Sequence, residues 1–161
     1  MTLALARVDD RLVHGQVVLV WCPAVRAVRL LVADDGAAAT PWERDLLAAS
    51  AGDLAVEVFA AAETAARLEA EKGRPGAAIL LFRSPAAALA AVEAGAALGE
   101  LNLGGLHHAA GREPVLDYLY LNEADRRALH ALEARGVRLS AQDVPSSRAR
   151  PSREWIGEGA S

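Results

Sequence analysis

Short apolar runs alternate with helix-like stretches along this chain. Residues 3–8, 28–33, 54–59 and 77–82 read as strands, 100–103 as a shorter fifth and 137–142 as a last one. The run Ala78-Ile79-Leu80-Leu81-Phe82 has no polar alternation, which is the pattern of a strand covered on both faces, as in a parallel sheet. The stretches between carry helix punctuation. Thr40 before Pro41 and Ser84 before Pro85 each place an N-cap residue ahead of a first-turn proline. Gly95 is placed to end the helix that Ser84 begins. Asn122 with Asp125 resembles a capping box for a helix running to Arg135, closed by Gly136. Strand–helix alternation with short links predicts an α/β fold: a single three-layer α/β/α domain with a mostly parallel central sheet. Two stretches break the rhythm. Residues 104–114 read as a glycine- and histidine-rich loop or hairpin, and 115–121 as an extra, antiparallel edge strand. The domain is expected to span 1–145. Residues 146–161, rich in Ser, Arg and Pro, are expected to form an irregular tail, with Trp155 as its one anchor.

Composition narrows the class. The 161 residues are 53% hydrophobic and 24% charged, a globular balance that suits one core. Much of the apolar share is alanine, so Leu, Val and Ile must supply most of the buried area. Aromatics are only 4% and the net charge is −4, which argues against a nucleic-acid partner. Cys22 is the single cysteine and cannot form an internal disulfide or a zinc site, so a reducing cytoplasm is the natural reading. No segment approaches the ~18 uncharged apolar residues of a membrane span, and the N-terminal apolar run is too short for a signal peptide. No metal and no cofactor are expected. A homo-oligomer stays open, because the alanine-rich helices could pack on a second copy or on the sheet.

Ligands of open α/β sheets bind outside the carboxyl ends of the strands. That rule selects the loops at 9–15, 34–40, 83–84 and 102–106. The first reads Asp9-Asp10-Arg11-Leu12-Val13-His14-Gly15-Gln16-Val17 and leads into an apolar helical stretch up to Trp21. It puts His14 at a helix N-terminus, where free N–H groups and the dipole favour an anion. Gly15 leaves room for a phosphate, and Arg11 supplies a fixed positive charge with paired donors. Neutral imidazole is a good nucleophile near pH 7 and can carry a phosphoryl group covalently. Carboxylates beside a phosphate site make sense if one of Asp9 and Asp10 orients Arg11 or the second ring nitrogen, and Asp10 is taken as the candidate. From the residues alone a phosphoryl acceptor and an ordinary loop histidine both stay open at His14.

The segment Ala6-Arg7-Val8-Asp9-Asp10-Arg11-Leu12-Val13-His14-Gly15-Gln16-Val17, followed by Trp21, closely resembles the active-site segment of one family. That family is the IIB components of the mannose/fructose/sorbose branch of the bacterial sugar phosphotransferase system. Val32-Ala33-Asp34-Asp35, Leu81-Phe82-Arg83-Ser84-Pro85, Leu101-Asn102-Leu103-Gly104-Gly105-Leu106 and Ala134-Arg135-Gly136-Val137 resemble further segments of it, in order. The resemblance covers nearly all of residues 3–145. It implies a transferase that accepts a phosphoryl group on His14 from a IIA partner. The group then passes to a sugar while membrane components IIC and IID carry the sugar through. It implies a cytoplasmic chain, peripherally associated with those components, with Arg11 neutralising the phosphoryl group. Gly15, Gln16, Asn102, Gly104 and Gly105 are the expected phosphate-binding residues; Asp34 and His107 are further candidates. His107-His108 and Cys22-Pro23 depart from the family's usual look, and nothing is assigned to Cys22. A regulatory phosphoacceptor without transport, and a non-catalytic phosphometabolite-binding domain, are the alternatives.

Overall fold

The computed structural model describes residues 3–157. Its centre is a seven-stranded sheet in the order β3-β2-β4-β1-β5-β8-β9. The strands are β1 (Leu3–Val8), β2 (Ala27–Ala33), β3 (Ala55–Phe59), β4 (Ala77–Phe82), β5 (Glu100–Leu103), β8 (Arg138–Ala141) and β9 (Arg150–Pro151). Pairings are parallel except β8–β9. The fold class is therefore the expected one. Burial explains why β4 carries no polar alternation: Ala78, Leu80 and Phe82 pack into one apolar layer, Ile79 and Leu81 into the other.

The helices divide between the two faces. A helical run opens at Gly15 and Gln16, passes through a π-helical turn (Val17–Trp21) and ends in α1 (Cys22–Val25). With α2 (Asp35–Ala39) and α3 (Pro41–Ser50) it covers the layer built on Val17, Trp21, Leu30, Val32, Ala37 and Leu47. On the opposite face, α4 (Thr64–Glu71), α5 (Pro85–Glu93) and α6 (Glu123–Ala134) lie along the layer of Leu31, Phe59, Leu80, Leu101 and Leu129. The expected caps form at two of three places. Ser84 Oγ accepts from Ala87 N at 3.1 Å, and Asn122 and Asp125 exchange bonds of 2.7 and 3.0 Å. Thr40 instead donates its hydroxyl to the Gly36 carbonyl at 2.8 Å, tying the start of α3 back onto α2 rather than capping α3.

Two expectations need correcting. Residues 115–121 are not an edge strand of the main sheet. They belong to a separate antiparallel hairpin, β6 (Glu113–Leu116) with β7 (Leu119–Leu121), joined to the rest by a bridge from Leu119 to Leu106. The antiparallel edge comes from the segment expected to be irregular: β9 pairs with β8, and a 3-10 turn (Ser152–Glu154) follows. Trp155 and Ile156 explain why. Both are buried in the α5–α6 layer, and Trp155 Nε1 donates to the Arg150 carbonyl at 3.0 Å. Burying two large side chains offsets the ordering cost of a short segment.

Candidate active site

β1 ends between β4 and β5, in the middle of the sheet. From there the chain leaves β1 for β2 on one side, and later leaves β4 for β5 on the other. The loop after β1 therefore sits at a switch point, where the neighbouring loops diverge and open a crevice.

That loop is bent by Leu12. Its φ of 56° is a left-handed conformation that costs a non-glycine residue roughly 1–2 kcal/mol, and its side chain is fully buried in the core. The turn aims the Leu12 carbonyl at His14, whose Nδ1 lies 3.0 Å away. A carbonyl only accepts, so Nδ1 carries the proton and Nε2 the lone pair. Nε2 is shut off from solvent, without a hydrogen bond, 3.6 Å from Asp9 Oδ2. Burial, the largest influence, pushes the His14 pKa below its ordinary 6.5; Asp9 and the Leu12 bond pull it up, and Arg11 and Arg7 push it down. The ring is thus held neutral, the nucleophilic form. Before it can attack a donor, either the Nδ1–Leu12 bond must break or the ring must turn Nε2 away from Asp9.

Asp9 is the hub. It is fully buried, with Arg11 Nε at 3.4 Å, Arg7 Nη2 at 3.9 Å and His14 Nε2 at 3.6 Å around its carboxylate. It also accepts the N–H of Arg11 at 3.1 Å and of Gly105 at 3.4 Å. The orienting role expected of Asp10 therefore belongs, by geometry, to Asp9. Asp10 turns to the next loop, where it accepts the backbone N–H of His107 at 2.8 Å and faces its Nδ1 at 2.7 Å.

Arg7 was not singled out by sequence, yet it organises most of the expected phosphate binders. It is fully buried, and its guanidinium lies 4.5 Å from the Trp21 ring centroid. It donates to Asn102 Oδ1, to the carbonyls of Gln142 (2.8 Å) and Asp143 (3.0 Å), and to Gln16 Oε1 (3.4 Å). Gln16 Nε2 then donates to Asp143 Oδ1 at 3.2 Å, and Asn102 Nδ2 to Gln142 Oε1 at 3.3 Å. A Cβ on Gly104 would stand 2.3 Å from Arg7 Cζ, so that glycine is where the guanidinium fits. The N–H groups of Gly104 and Gly105 are committed to the Val8 carbonyl and to Asp9. Of the residues expected to bind phosphate, Gln16, Asn102 and Gly104 build a socket for Arg7, and Gly105 gives its N–H to Asp9. Burial lowers the Arg7 pKa to about 10, so it stays a cation at neutral pH.

What remains free for an anion is the start of the helical run. Its first N–H groups have no intrahelical partners. A Cβ on Gly15 would meet nothing within 4 Å, and the Arg11 side chain is 45% exposed beside it. Asp34 lies elsewhere. It caps α2 through Ala37 N at 2.9 Å and takes a forked pair from Arg83 at 3.1 and 3.2 Å.

The family model described as the sorbose-subfamily IIB component of the phosphotransferase system matches residues 3–160. The chain belongs to that IIB family. It is 27% identical over 147 residues to the fructose-specific EIIB component of Bacillus subtilis, covering 91% of this chain and 90% of that one. It is 31% identical over 145 residues to the mannose-specific EIIAB component of Escherichia coli, where the match spans 45% of the longer relative. Among solved structures, the IIB domain of the sorbose permease of Klebsiella pneumoniae is 29% identical. It superposes with a TM-score of 0.83 over 94% of this chain and 93% of that one.

In this IIB component, Cys22 is buried and its thiol is pushed up to about 11 by that burial, an inert setting. Among the described residues, no group of three or more His, Cys, Asp or Glu could hold a metal ion. No helix there is long and apolar enough to cross a membrane.

Proposed function

We propose that this IIB component is a phosphohistidine carrier: it accepts a phosphoryl group on His14 from a IIA protein and passes it to a sugar entering through IIC and IID. The observation that carries the reading is His14 itself. It is a neutral, half-buried imidazole between a buried carboxylate and an open helix start, with Arg11 alongside. In the transfer, the free ring nitrogen attacks phosphorus as the donor's N–P bond breaks, and the donor imidazole leaves neutral. The new ring bears a formal positive charge while it holds the group, and Asp9 offsets that charge. Arg11 and the helix N–H groups stabilise the phosphoryl oxygens. A sugar hydroxyl oxygen then attacks the phosphorus, the N–P bond to His14 breaks, the ring leaves neutral, and the hydroxyl proton passes to solvent. Catalysis by this route is positioning and electrostatics, without a cofactor. The IIA partner is supported by the relative named as an EIIAB component. The sugar and the membrane partners rest on the family's named transport roles. On this reading the chain works at the cytoplasmic face of the membrane, against IIC and IID.

A transfer assay tests this. Incubation with a phosphorylated IIA protein should label the wild type and leave His14→Ala unlabelled. Adding vesicles with IIC, IID and the sugar should then discharge the label. Equal labelling of His14→Ala would overturn the reading. A label that no sugar discharges would leave a phosphoacceptor of regulatory output.

A further inference from the structure

Asp10 spends its carboxylate on fixing one exposed imidazole. Oδ2 takes the His107 N–H at 2.8 Å and Oδ1 lies 2.7 Å from His107 Nδ1. The carboxylate only accepts, so Nδ1 bears a proton and Nε2 is the nitrogen left over. Arg112 backs the arrangement. Its Nη1 donates to the His107 carbonyl at 3.4 Å and lies 4.0 Å from Asp10, while its Nε donates at 3.0 Å to Asp125, the capping residue of α6. The His107 side chain is still 51% exposed. Holding a half-exposed ring this way costs conformational entropy that an idle loop residue need not meet. The neighbouring His108 packs edge-on against Tyr120 instead, 5.8 Å between ring centroids.

The position of the held ring is telling. The point where a Cβ on Gly105 would stand is 2.8 Å from His107 Cε1, 3.4 Å from Arg11 Nη2 and 3.5 Å from Asp9 Oδ1. His107 and Arg11 therefore share one rim, above the carboxylate that faces His14. We propose that His107 is a second cationic arm of the phosphoryl site, held by Asp10 so that protonated Nε2 donates to a non-bridging oxygen of the group on His14 alongside Arg11. This rests on the reading of His14 as the acceptor. No covalent bond changes at His107; its Nε2 takes one proton from solvent as the dianionic group arrives. The charged groups around the ring are Asp10, Asp9, Arg11 and Arg112. Asp10 is thus a positioning residue that acts through His107.

The test uses phosphoramidate, a small N-phosphoryl donor, on the whole protein from pH 5.5 to 8, so that no partner is needed. The donor's own titration is common to every variant. The wild-type labelling rate should be bell-shaped, rising as His14 becomes neutral and falling as His107 loses its proton. His107→Ala should label to the same final level about tenfold more slowly at the optimum, with the falling limb gone. His107→Gln, which keeps a neutral donor, should lie between them and also lack that limb. Asp10→Asn should slow labelling and move the falling limb to lower pH. Wild-type rates and profiles in both His107 variants would overturn the proposal while leaving His14 in place. Full labelling of His14→Ala would instead overturn the parent reading.

Discussion

Two parallel strands of this sheet end in the same dipeptide. β1 runs into Asp9-Asp10 and β2 into Asp34-Asp35, at the same sheet edge. After β2 the helix starts at once. Asp34 caps it and takes the forked pair from Arg83, and Asp35 Oδ1 accepts Ala61 N at 2.8 Å, so both acids are taken up by the scaffold, away from His14. After β1 the chain first turns through Leu12. That delay leaves Asp9 to gather Arg7, Arg11 and His14, and Asp10 to reach His107. The same residues at equivalent positions thus do different work. What separates them is how many residues pass before the first helical turn, and which cations come within reach.

Removing the hub should have the largest effect. Asp9→Ala removes the carboxylate beside buried Arg7 and the acceptor of the Arg11 and Gly105 N–H groups, and should cost on the order of 3–5 kcal/mol in urea unfolding, with transfer lost as well. A stable, active Asp9→Ala protein would erase the distinction between the two loops. Next comes Arg11→Ala. Its side chain is nearly half exposed, so unfolding should barely change while the transfer rate drops about 100-fold. Equal losses of stability and rate would make Arg11 a structural residue. Asp34→Ala is the matched control in the second loop. It should cost about 1–2 kcal/mol through the lost cap and the lost pair with half-exposed Arg83, and leave the transfer rate unchanged. The smallest effect is on pH dependence. The His14 pKa is lowered in the folded state, chiefly by burial, so the unfolded chain binds more protons below its ordinary 6.5. That stability is complete above about pH 6.5 and is lost as pH falls toward the depressed folded value. Thermal melts of wild type and His14→Gln should therefore converge toward acid pH and separate above it.

The scaffold was legible because its signals are local. Apolar runs buried on both faces marked the parallel strands, and Ser84 and Asn122 marked helix starts within a residue or so. The Arg7 socket was not, because its members are brought together by the fold. Arg7 reaches Asn102, Gln142 and Asp143, each about 95 or more positions away. A signal was still present. Arg7 is the one charged residue in Leu3–Val8, and period-2 alternation puts it on the same strand face as Asp9. An arginine in an otherwise apolar central strand needs partners, and Asp9, Asn102 and Gly104 were the nearest candidates at the same sheet edge. Asp9 and Asp10 could not be told apart by type; only the direction of the turn separates them. The edge strand at Arg150–Pro151 is too short to leave a pattern, although Trp155 hinted at the anchor beside it.

The central claim is that the loop after β1, and within it His14, carries the phosphoryl group. Labelling the wild-type protein with a phosphorylated IIA partner, followed by peptide mapping under alkaline conditions that preserve phosphohistidine, tests it most directly. The expected result is a single labelled peptide, modified at His14. A label on His107, His108 or His130, or an acid-stable phosphate on any hydroxyl, would contradict it.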